Sequence, residues 1–95
     1  MLSTQATVET AKASRYLKAL CNHFNKKVTA EYTDNQGTVQ FGFAYCEMQA
    51  RDNTLVIDLQ ASTDDEFNRA KFVVSDHLMR FAADENLEVV WIDQN

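Results

Sequence analysis

The sequence predicts an α+β two-layer sandwich, an antiparallel sheet in the order 6-1-5-4-3-2 with two helices on one face. Three observations predict it. Two segments carry apolar residues at three- and four-residue spacing, the period of an amphipathic α-helix. Six short segments alternate apolar with polar, as strands do when one face meets a core and the other meets water. The segments follow one another as β-α-β-β-β-β-α-β, with turn residues between them.

Leu2, Thr4, Ala6 and Val8 alternate with Ser3, Gln5 and Thr7, so residues 2–8 form the first strand. Thr10 is the expected N-cap of a helix running to Asn25, with Ala13, Tyr16, Leu17, Leu20 and Phe24 facing inward and Cys21 at their margin. Lys12, Arg15, Lys18, Asn22 and Lys26 fall on its opposite, solvated arc. Val28, Ala30 and Tyr32 mark the second strand, and Asp34-Asn35-Gln36-Gly37 the turn after it. Val39 and Phe41 mark the third, with a tight turn at Gly42 to Ala44. Cys46, Met48 and Ala50 mark the fourth, Asp52-Asn53 turns the chain, and Leu55, Ile57, Leu59 and Ala61 mark the fifth.

The second helix opens at the capping box Thr63-Asp64-Asp65-Glu66, in which a threonine side chain closes the free N–H groups of the first turn. Phe67, Ala70, Val74, Leu78 and Phe81 form its inward stripe, and the helix is expected to run to Asn86. Leu87 to Ile92 follow directly as the sixth strand. Hairpins reverse the chain and helices return it, so antiparallel neighbours and right-handed crossovers together select the order 6-1-5-4-3-2. This is a split β-α-β plan enlarged by a hairpin, and its first seven elements follow the plan of TATA-binding-protein-like folds.

Ninety-five residues, 45% apolar and 24% charged, make a single domain over 1–95 with a core that needs no staple. Cys21 and Cys46 are too few for a disulfide framework and are expected reduced and buried. No apolar run approaches the roughly 18 residues of a membrane span, and the first residues lack a signal-peptide pattern. A cytoplasmic location is therefore expected. The net charge of −5 is unevenly spread, with a balance of +4 over residues 1–27 and −9 over residues 28–95.

Few residues suggest chemistry. Cys21 and His23 lie about 200° apart on a helical wheel and do not converge on one metal. No serine has a nucleophile context, no glycine-rich phosphate loop exists, and Asp64, Asp65 and Glu66 complement a helix dipole. The expectation is no catalytic residue, no cofactor and no metal. Nucleic acid is not expected either, because the open sheet face carries Glu31, Glu47, Asp58 and Glu88 and few stacking aromatics. His23 and His77 share the same rotational offset from their inward stripes, so both face the inter-helix groove or both face away. With Arg80 nearby on the wheel, they are candidates to hold a small anion. Phe72 and Met79 share a second stripe of the same helix, and Phe43 and Tyr45 sit at a hairpin tip. These four are the candidate partner surface, the helical pair for a weak homodimer.

Ala13-Ser14-Arg15-Tyr16-Leu17, Leu20-Cys21-x-His23, Asp76-His77-Leu78-x-Arg80-Phe81-Ala82 and Leu87-Glu88-Val89-x-Trp91 together resemble a bacterial family catalogued as domain of unknown function 2218. The resemblance spans nearly the whole chain and departs at Gly42-Phe43-Ala44-Tyr45, where a more polar hairpin is expected. It implies the fold argued above, with TATA-binding-protein-like or phosphohexomutase C-terminal-like relatives, and it implies no reaction. It also associates such domains with siderophore-interacting flavin reductases. The expected function is a small interaction or ligand-binding module without catalytic chemistry of its own. The alternative is an accessory factor in siderophore-iron handling that binds an anionic chelate through Arg15, His23, His77 and Arg80.

Overall fold

The computed structural model describes residues 1–94. Its elements are β1 (Leu2–Glu9), α1 (Ala13–Phe24), β2 (Thr29–Tyr32), β3 (Gln36–Gln40), β4 (Ala44–Arg51), β5 (Thr54–Ala61), α2 (Asp64–Phe81) and β6 (Trp91–Asp93). The sheet runs β2-β3-β4-β5-β1-β6 with every neighbouring pair antiparallel, the order expected from the sequence. Both helices lie against the same face. Leu17, Leu20 and Cys21 of α1 and Ala70, Val74 and Leu78 of α2 are buried with Val8, Val39, Met48, Leu55, Ile57 and Leu59 of the strands. That apolar layer is the main stabilising term of the domain.

Local chemistry explains most of the boundaries. Thr63 has extended backbone and accepts the Glu66 N–H at 3.2 Å, so the expected N-cap holds α2. Asn53 takes a positive φ of 57° in the β4–β5 turn, and Gly42 one of 90° between β3 and β4.

Five expectations need correction. α1 begins at Ala13 rather than directly after Thr10, whose hydroxyl instead accepts the Lys12 N–H at 3.1 Å in a turn before the helix. The turn before β3 is shorter than expected, because Gln36 and Gly37 belong to that strand and pair with Gln49 and Met48. α2 ends at Phe81, five residues early, and Phe81 is 39% exposed rather than part of the core. Beyond it the chain folds back, and Ala82 and Leu87 take the buried places. Glu85 sets this corner, accepting hydrogen bonds from the Tyr16 hydroxyl and from Thr10 Oγ1 while pairing with Lys12 at 3.7 Å. Finally, the sixth strand is ladder-paired only over Trp91–Asp93, not from Leu87. The expected parity holds before the ladder begins: Leu87 is buried and Val89 packs on the core, while Val90 is exposed.

Candidate functional site

α1 ends at Phe24, and the N–H groups of Asn25, Lys27 and Val28 close onto its last carbonyls. This tight exit carries Lys26 and Lys27 past the end of the helix and Val28 towards the sheet. On α2, Arg69, Val73 and His77 recur every four residues and so share one stripe facing that exit. The β3–β4 turn supplies Phe41 and Phe43 on either side of Gly42, with the Phe41 N–H bonded to the Ala44 carbonyl at 2.9 Å. These three pieces enclose a pocket of about 350 Å3 lined by His23, Phe24, Lys26, Lys27, Val28, Phe41, Phe43, Arg69, Val73 and His77.

The walls are aromatic. The His23 and His77 rings lie 4.6 Å apart, and Phe24 meets His77 edge-on at 5.2 Å. Phe24 meets Phe41 edge-on at 5.0 Å, and Phe41 meets Phe43 at 5.5 Å. The Arg69 guanidinium caps the series, 4.4 Å above the Phe43 ring.

Charge is concentrated at the same place. The ion pairs among the described residues use Lys12, Lys18, Lys71 and Arg80, and none uses Lys26, Lys27 or Arg69. Three cations therefore surround one pocket without a carboxylate partner, in a chain of net charge −5. Burial, and then the positive neighbours His77, Lys26 and Lys27, hold His23 below the usual histidine range. His77 Nδ1 lies 2.7 Å from the Val73 carbonyl, which only accepts, so Nδ1 carries a proton and donates it there.

Residues 5–92 match a family described as uncharacterised proteins conserved in bacteria, DUF2218. The chain belongs to that family. It is also similar to the NMR structure of PA4090 from Pseudomonas aeruginosa, with 34% sequence identity, 97% of this chain and 96% of that chain covered, and a TM-score of 0.82. A comparison with curated proteins returns no match.

Within this DUF2218 domain the expected site residues part company. His23 and His77 meet in the groove, the first of the two arrangements their offsets allowed. Arg15 lines a separate, broader concavity over the outer face of α1, where Lys12 and Lys18 are already paired with Glu85 and Asp34. Arg80 is 73% exposed along its side chain and pairs with Asp76 at 3.0 Å. Phe43 turns to the helix side and joins the histidine pocket, whereas Tyr45 lies in β4 beside Gln40 and Gln60, away from it. Phe72 and Met79 are exposed, at 69% and 43%.

Sequence reasoning did not bring Phe24, Phe41, Lys26, Lys27 and Arg69 to this candidate pocket, which they line. The four-residue spacing of Arg69, Val73 and His77, and the pair Phe41-x-Phe43 around a glycine, are the signals that point to them.

Burial keeps both cysteines as thiols, with Cys21 pushed up to about 11 and Cys46 further, which makes them part of the core. No group of three metal-ligating side chains occurs among the described residues. No helix among them is long and apolar enough to cross a membrane. On the open sheet face, Glu31, Thr38, Glu47, Asp58, Gln5 and Ile92 lie in one row across all six strands. Three carboxylates in that row repel phosphate.

Proposed function

We propose that this protein is a binding module for a small organic anion with an apolar body, seated in the pocket between the exit of α1, the Arg69–His77 stripe of α2 and the β3–β4 turn. The observation that carries this reading is the set of three unpaired cations around an aromatic-walled cavity. An apolar body gains by leaving water for the rings, and an anionic group gains from Lys26, Lys27 and Arg69 beside a low-dielectric wall. Those three cations fill the part that the sequence pattern suggested for Arg15 and Arg80.

A volume of about 350 Å3 stands at the small end of ligand sites. It favours a compact anion over a whole metal chelate, and so favours this reading over a role in siderophore-iron handling. The test is a fragment titration followed by amide shifts in wild type and in a Lys26→Glu, Lys27→Glu variant. Trp91 is a poor reporter, since its indole is tied to Ser75 on another side of α2. Small carboxylates should shift the His23, Phe43 and His77 amides saturably, and the variant should lose this. Equal binding of neutral fragments, or carboxylate binding unchanged in the variant, would overturn the reading.

A further inference from the structure

We infer that the ligand class of this pocket is a planar aromatic carboxylate, an inference that rests on the anion-binding reading above and narrows it. Nearly all of the apolar lining is ring: Phe24, Phe41, Phe43, His23 and His77 against only Val28 and Val73. Consecutive rings meet edge-on or tilted at 4.6–5.5 Å, so the pocket presents ring faces and ring edges side by side. A planar π-system meets both favourably, with its own edge against a face and its own face against an edge. A saturated body of the same size gains only the area term. Each such ring contact is worth a factor of roughly two to ten in affinity beyond equal buried area.

The polar end follows from position. Phe43 carries the Arg69 guanidinium over its ring at 4.4 Å, and Lys26 and Lys27 line the same pocket from the end of α1. A carboxylate in the ring plane thus meets cations while the ring lies among the phenylalanines. A planar guanidinium also pairs with a carboxylate through two parallel hydrogen bonds, which a single ammonium does not provide.

The experiment uses the full chain and four probes: 2-naphthoate, decahydro-2-naphthoate, 2-naphthylmethanol and inorganic phosphate. Amide shifts and calorimetry read the binding. The inference expects 2-naphthoate to bind at His23, Phe43 and His77, at least about fivefold tighter than its saturated analogue. It also expects the alcohol and phosphate to be far weaker. Phe43→Leu keeps apolar bulk at a turn position and removes a ring. It should weaken both acids, because Arg69 loses the ring it rests on, and should weaken 2-naphthoate more, so that the aromatic preference shrinks. Equal affinity for the saturated and aromatic acids overturns the aromatic class and leaves anion binding standing. An alcohol as tight as the acid overturns anion binding itself. No saturable shift with any probe at millimolar concentration overturns both.

Discussion

Gly37 sets the distance between the helix layer and the sheet. It lies in β3 opposite Tyr32 and Met48, and a Cβ there would stand 2.7 Å from Cys21 Sγ and 3.2 Å from Leu17 Cδ2. Both neighbours are fully buried, so making room means shifting a side chain within the packed core. Gly37→Ala should therefore cost about 1–3 kcal/mol in urea unfolding, against the small gain expected from stiffening the unfolded chain. Cys21→Ala in the same chain should recover part of that loss, measured as a double-mutant cycle. A stabilised Gly37→Ala would mean that the two layers are slack at this point.

His23 gives a residue-level prediction of another kind. Lys26 and Lys27 from the end of α1, with His77 and Arg69 from α2, surround the pocket it lines. Its folded pKa lies below the ordinary 6.5. The sign follows: the unfolded chain binds this proton more readily, so acidification through 6.5 lowers stability, and the exposure of His23 keeps the effect small. A bound carboxylate opposes the repulsion from the cations and raises the pKa again. Carboxylate affinity should then increase as pH falls from 7 to 5, where the ligand is still ionised, and His23→Gln should flatten that slope. An affinity that stays level or rises with pH would remove the histidine from the binding event.

α2 shows at the scale of an element which parts of the fold can be read from sequence. Its start is local chemistry, since the Thr63 cap and the acidic first turn lie within four residues of each other. Its inward stripe is periodicity, and Phe67, Ala70, Val74 and Leu78 are all buried. Its end is tertiary. Ala82-Ala83-Asp84-Glu85 includes good helix formers, and what stops the helix is Glu85 held by Tyr16 and Thr10, more than sixty positions away in the chain. The left-handed Asn86, φ 52°, is a local stop signal that arrives after the turn is already made. The same contrast decides two substitutions on that stripe. Leu78→Ala should cost about 2–5 kcal/mol and Phe81→Ala nearer 1 kcal/mol, since Leu78 is fully buried whereas Phe81 is 39% exposed, with its ring edge-on to His23 at 5.7 Å. Equal losses in thermal or urea unfolding would return Phe81 to the core. The pocket divides in the same way. The rotational offsets bind His23 and His77 to a common fate, in the groove or away from it, and the packing of the two helices selects the groove; the joining of Phe24, Phe41 and Phe43 to Arg69 depends on how a hairpin leans against two helices.

Over the whole molecule, charge and apolar surface are sorted by side. The open sheet face carries the row Glu31, Glu47 and Asp58, the helix side carries the cationic pocket, and the outer stripe of α2 carries Phe72 and Met79. Two exposed apolar side chains seven residues apart share one line along the helix. A second copy turned about a two-fold axis would set Phe72 of each chain near Met79 of its partner. The Asp76–Arg80 pair, 3.0 Å apart beside that line, would stand at the rim of such a contact. We propose weak self-association through this stripe, with a dissociation constant on the order of millimolar, as befits a contact anchored by two side chains. Phe72→Asp combined with Met79→Lys should leave unfolding unchanged, because both positions are exposed, and should lower the weight-average mass in sedimentation at high concentration. A wild-type chain that sediments as a monomer at millimolar concentration would end the proposal of self-association. The pocket is independent of this outcome: its lining residues exclude Phe72 and Met79, so the double variant should bind carboxylates as the wild type does.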